Sequence, residues 1–319
     1  MKPSLGGFRA ALLAGWILLG AAGVLYARFK NIPNWAALPV LAAFLVEYPF
    51  YLAAGFPEVR KRAAGVMFPL FLVLSVMLPY LVAYVGLGHL QAANLVKLAA
   101  VSLGAGLWFR LVPRGRLADL AFLAAVGAVL LSGFLDSVYP TPFPGLRIAY
   151  LGRIAWFRVT VLVLILERCI PETGYGFVPT MREWRIGIVH YLGFLPVAAA
   201  LAFPLKAVRA VPPASFWVVA GTFLGFLWVV ALFEEFLFRG VLQQWLEAWI
   251  SSRNGALLVT AAIFGAAHLW FRTFPNWRWA LIAGALGWFC GHARNQAGSI
   301  RAGVVTHALV VATWRGFFV

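Results

Sequence analysis

The sequence predicts an all-α protein, a polytopic transmembrane helix bundle of roughly nine to eleven spans. Three observations predict it. Hydrophobic residues make up 63% of the chain and charged residues 11%, where a soluble domain averages about 25% charged. Apolar stretches close to the ~20 residues that a span needs recur along the whole chain. Clusters of basic residues punctuate those stretches.

Taken in order, the apolar segments centre on residues 10–27, 36–55, 64–86, 96–113, 118–137 and 148–167. The C-terminal series follows at 188–207, 216–247, 256–272, 279–293 and 302–318. Some neighbouring pairs can be re-entrant or interfacial, hence the range in the count. The first segment is too long and too poorly terminated for a cleaved signal peptide and reads as a retained span.

A net charge of +16 would suggest nucleic acid in a soluble protein. Here no basic stripe stands clear of the spans, so nucleic acid is not an expected partner. Arg60-Lys61-Arg62, Arg110, Arg114, Arg116, Arg182 and Arg185 occupy alternate loops, while residues 87–94 and 137–146 contain no Lys or Arg. This positive-inside alternation puts the N-terminus and the loops at 58–62, 110–117 and 168–187 in the cytoplasm. It implies a multi-pass protein of the inner (plasma) membrane. The asymmetry weakens in the C-terminal third.

The largest break in hydropathy is 168–187, where Pro171, Gly174, Gly176 and Pro179 interrupt any helix. It divides the chain into N-terminal transmembrane helices, 1–180, and C-terminal catalytic transmembrane helices, 181–319. Cys169 and Cys290 lack the spacing of a disulfide framework or a zinc knuckle and read as small apolar residues. Glu47 and Asp136 are acids inside or beside spans. They either bind a substrate or ion, or pair with an arginine of a neighbouring helix, for which Arg147, Arg153 and Arg158 are the candidates.

Chemistry concentrates at Glu234-Glu235-Phe-Leu-Phe-Arg239. The whole chain has 10 acidic residues, and two of them adjoin here after the apolar run Trp228–Phe233. Helical geometry separates the two carboxylates by ~100°. Glu235 and Arg239 stand at i, i+4 with the acid N-terminal, the favourable order for an ion pair. Glu234 then faces elsewhere and needs a partner on another helix, as suits a general base. A buried charge network is the alternative.

The chain has five histidines. His268 shares a helix face with Phe264 at i, i+4, and His307 begins the last span. Glu234, His268 and His307 therefore lie on three separate apolar helices that can converge. In this order and spacing, Glu234-Glu235-x-x-x-Arg239, Phe264-x-x-x-His268 and His307 resemble the three motifs of the CPBP family. These are intramembrane proteases related to the CAAX prenyl endopeptidases and the bacteriocin-processing membrane proteases. The resemblance covers about residues 185–319. It implies an endopeptidase acting on a membrane-anchored protein or peptide. Glu234 would activate water with His268 as its nearer partner, and His307 would serve the oxyanion. Glu235 and Arg239 would form a scaffold pair.

The sequence departs from the family pattern at Val311, where an Asn or Asp is expected four residues after the last histidine. Trp314, at i+7 from His307, is the leading substitute donor, with its indole N–H expected to face the cavity. The last helix also faintly resembles the branch found with bacterial C-terminal protein sorting. No cofactor is expected; the alternative is Zn²⁺ on Glu234, His268 and His307. Two other classes stay open. A proton-coupled transporter would use the same intramembrane groups as a relay. A non-catalytic scaffold or immunity-type relative would explain Val311.

Overall fold

A computed structural model describes residues 5–319, and every described span is helical. The four preceding residues, which the charge pattern assigns to the cytoplasm, lie outside the described residues. The chain forms two compact units, Met1–Ile170 and Pro171–Val319.

The first unit begins with α1 (Leu5–Phe29), α2 (Asn34–Ala54), the short α3 (Pro57–Arg60) and α4 (Phe68–Gly86). It continues with α5 (Ala92–Leu111), α6 (Arg116–Leu131), the short α7 (Phe134–Val138) and α8 (Ala149–Glu167). Helix α2 packs against α1, α4 and α8, and α4 packs against α5. Helix α1 buries no residue, as expected of an apolar helix whose remaining surface meets lipid. Helix α8 is the most buried and supplies the unit's main polar contact. Arg158 donates from Nε to Glu47 Oε1 (2.8 Å) and from Nη2 to Oε2 (3.2 Å). Its remaining donors reach Ser75 Oγ (2.8 Å) and Ser75 O (3.3 Å). Phe50 lies under the guanidinium at 5.4 Å. Asp136 pairs with Arg153. Glu47 and Asp136 thus find arginines from the expected set.

The second unit holds α9 (Met181–Ala202), α10 (Phe216–Ile250), α11 (Arg253–Ala267), α12 (Trp277–Ala297) and α13 (Ile300–Phe317). A reciprocal capping box fixes the start of α9. Thr180 Oγ1 accepts from Glu183 N (3.3 Å), and Glu183 Oε2 accepts from Thr180 N (2.6 Å). Ser252, Asn276 and Ser299 cap α11, α12 and α13 with their side-chain oxygens. Helix α12 packs against α9, α11 and α13, and α10 packs along α13.

Among the described residues, seven helices are long and apolar enough to cross a membrane, fewer than the nine to eleven expected. The difference has physical causes. Helix α6 has 16 residues and α11 has 15, short of the ~20 that a span needs. Helices α12 and α13 carry arginines and a histidine that lower their hydropathy. The protein is a multi-pass helical membrane protein.

Candidate active site

Helix α10 is 35 residues long, well beyond the ~20 that span a bilayer core. The glutamate pair lies near its middle. The backbone there departs from a regular α-helix. Phe226–Val230 and Phe236–Leu242 are π-helical, and the pair ends the α-helical stretch Ala231–Glu235 between them. Wide turns of this kind are common at functional sites. They also affect register. In a pure α-helix each step of four residues advances ~40° around the axis, because the turn closes at 3.6 residues. A π stretch turns less per residue and opposes that drift. Two contacts agree with this. Glu235 bonds Arg239, and Gln243 bonds Glu247. Both Arg239 and Gln243 face the glycines of α12.

The expected i, i+4 pair forms: Arg239 Nη1 donates to Glu235 Oε1 at 3.1 Å, and both side chains are fully buried. Glu235 is not committed to Arg239 alone. The same Oε1 lies 3.0 Å from His307 Nδ1 on α13. The other imidazole nitrogen, Nε2, is 3.8 Å from Glu234 Oε2. One ring therefore stands between the two carboxylates of the pair, one nitrogen toward each. Glu235 is the anchored acid with an arginine on it, so Nδ1 donates its proton there. The gap from Nε2 to Glu234 is too long for a direct hydrogen bond and suits a bridging water. Glu235 is fully buried, whereas the Glu234 side chain is 30% exposed.

This corrects the expected order of the histidines. His307, and not His268, makes the carboxylate contacts among the described residues. His268 caps the end of α11, where its Nδ1 is 2.8 Å from the Phe264 carbonyl oxygen. Its ring packs on that of Phe264, 4.7 Å between centroids. Phe264, fully buried, is the hub. Its ring also meets His307 (5.8 Å) and Phe238 (4.9 Å), and the Arg239 guanidinium lies over it at 4.3 Å. Cation–π contact thus covers Arg239 where Nε and Nη2 have no hydrogen-bond partner.

Two glycines missed in the sequence make the approach of α10 to its neighbours possible. A Cβ on Gly303 would come within 2.8 Å of Glu235 Oε2, and one on Gly287 within 3.0 Å of Arg239 Nη2. Gly303 stands at i−4 from His307, so α13 presents an open notch and an imidazole on one face. That spacing was the available signal.

Trp314 does not reach the cluster. Its ring packs against Trp279 (4.5 Å) and Phe271 (5.7 Å), and its buried indole N–H has no partner. Val311 is buried and offers no donor. Zinc would need Glu234, His268 and His307 on one ion. Among the described residues, no group of three or more His, Cys, Asp and Glu side chains is placed to hold a metal.

The fold and site define a class: a multi-pass helical membrane protein with an acid–histidine–arginine cluster buried in its second unit. Residues 215–313 match the family model described as Rce1-like, type II CAAX prenyl endopeptidase. That match spans every residue of the cluster and agrees with the resemblance carried by the three sequence motifs. The match does not single out the sorting branch. Comparison with curated proteins and with solved structures gave no match.

Proposed function

We propose that the protein is an intramembrane endopeptidase of the plasma membrane that hydrolyses a membrane-anchored protein or peptide by glutamate-activated water. One observation carries this reading: a half-open carboxylate, Glu234, faces a histidine that a second, fully buried carboxylate orients. Water held between Glu234 and His307 loses a proton to Glu234 as its oxygen bonds the peptide carbonyl carbon. Charge in the cluster balances when His307 carries both ring protons, two carboxylates against one guanidinium and one imidazolium. Nε2–H then donates to the oxyanion of the tetrahedral intermediate. Collapse breaks the C–N bond, and Glu234 returns its proton to the leaving amine. Glu235 and Arg239 position His307, much as the buried acid of a hydrolytic triad orients its histidine. His268, whose ring packs on Phe264, is a second donor toward the bound peptide. No step runs through a metal.

Support comes from the family match together with this geometry. The experiment uses the full chain in proteoliposomes with membrane-anchored peptides, and mass spectrometry of the products. The reading predicts cleavage by the wild type, also after exhaustive chelation, and none by Glu234→Gln. Cleavage that chelation abolishes and zinc restores would replace the metal-free mechanism. Val311 supports a second reading, a non-catalytic relative. Under it, wild-type protein binds such peptides and releases no product.

A further inference from the structure

The two ends of the second unit differ in charge. One end is formed by the C-termini of α9, α11 and α13 and the N-termini of α10 and α12. It carries Lys206, Arg209, Arg272, Arg278 and Arg315 and no acidic residue. None of the five makes an ion pair among the described residues. The opposite end does carry acids: Arg294 pairs with Glu247 (2.7 Å) and Arg301 with Glu183 (2.9 Å), while Arg182 and Arg253 donate to the backbone carbonyls of Gln296 and Asn295.

The acid-free end is held together as a surface. Backbone bonds between Arg209 and Val319 (3.0 Å each way) and from Val211 to Phe317 (3.0 Å) tie the 203–215 loop to the C-terminus. Ala207, Val208 and Trp279 pack into one apolar cluster. Asn276 bonds Leu269 O and Phe271 O and closes the loop after His268. On this face Arg272 and Arg315 both lie against the Trp314 ring, at 5.4 Å and 5.9 Å, with Arg272 also beside Phe271 (5.6 Å) and Arg315 beside Phe226 (5.2 Å). An anion held by both guanidinium groups would offset their mutual repulsion. Arg272 and Lys206 also adopt left-handed backbone conformations, φ 65° and 51°, unfavourable for residues with a Cβ. Trp270, Phe274 and Trp277 stand exposed around the same face, as aromatic residues do at headgroup level.

We propose that this face binds anionic phospholipid, with the headgroup phosphate seated on Arg272 and Arg315 over Trp314. Cations without acids, ringed by exposed aromatics at the ends of membrane helices, fit a lipid phosphate better than a soluble anion. The site does not depend on the protease reading, so either can fail alone.

The test is lipid binding to the full-length protein in non-ionic detergent, followed by native mass spectrometry and thermal unfolding. Phosphatidylglycerol should bind and raise the unfolding temperature, and phosphatidylcholine should not. Each basic residue near a charged surface is worth about fivefold in affinity. Arg272→Gln with Arg315→Gln should therefore weaken phosphatidylglycerol binding roughly twenty-five-fold. The matching pair of lysine substitutions should keep most of it, and Arg185→Gln at the other end should change nothing. Equal binding of the two lipids, or unchanged affinity in the double glutamine variant, would overturn the proposal. Equal protection by soluble glycerol phosphate would make it a free-anion site. Protection by an acidic-tailed peptide without any by lipid would assign the face to substrate. Both results would overturn the lipid assignment.

Discussion

Each half of this protein buries an acid–arginine pair in an apolar helix bundle, and the two pairs are built differently. In the first unit, Glu47 and Arg158 close on each other. Both carboxylate oxygens and all three guanidinium nitrogens are hydrogen-bonded within the pair or to Ser75. In the second unit, Glu235 divides one oxygen between Arg239 and His307, and its other oxygen has no partner. Beside it Glu234 is partly open. Burial and charge alone do not separate the two sites. What separates them is unspent hydrogen-bonding capacity: a closed pair holds helices together, while an open one leaves atoms for a water or a peptide.

The comparison breaks most sharply on single substitutions. Removing one partner of a buried pair strands the other charge and costs about 3–5 kcal/mol. Glu47→Gln should lose that much, read as thermal unfolding in detergent, and adding Arg158→Met should recover most of it. A neutral single variant would show that the pair is not the scaffold described. In the open cluster the largest effect should fall on rate. His307→Gln should lower turnover about 10²–10³-fold, the usual cost of one oxyanion donor, with the fold retained.

Subtler changes sharpen the contrast. Gly303→Ala drives a methyl group against Glu235 Oε2 and should cost about 1–3 kcal/mol of stability. Turnover should fall with it, because Glu235 sets the His307 ring. The smallest effect belongs to Trp314→Phe. It removes an indole N–H that has no partner and keeps an aromatic ring on Trp279. Unfolding temperature and turnover should stay near wild type. A large loss of turnover would restore Trp314 as the stand-in for the amide missing at 311.

Much of this was legible in the sequence because it is local. The i, i+4 spacing of Glu235 and Arg239 is a property of one helix and survives in the fold. Phe264 and His268 likewise share a face, and their rings touch. Scarcity helped with Glu47 and Asp136, since few arginines stood on helices that could reach them. What failed to show was non-local or depended on backbone detail. Nothing in the order of motifs says which histidine meets the carboxylates. That follows from how close α13 comes to α10, and Gly303 sets this distance. The π-helical turns on both sides of the glutamate pair leave no compositional mark. Trp314 shares a face with His307 by spacing, yet two turns of helix carry it into the aromatic cluster around Trp279.

The central claim is that Glu47 serves structure and Glu234 serves chemistry. Measuring unfolding temperature and peptide turnover together for Glu47→Gln and Glu234→Gln tests it most directly. The account predicts opposite profiles. Glu47→Gln should unfold many degrees lower, and whatever protein stays folded should still cleave. Glu234→Gln should unfold within a few degrees of wild type, since a partly exposed acid is replaced by its amide, and should release no product. A Glu234→Gln protein that cleaves at the wild-type rate, or loses activity only because it unfolds, would contradict the account.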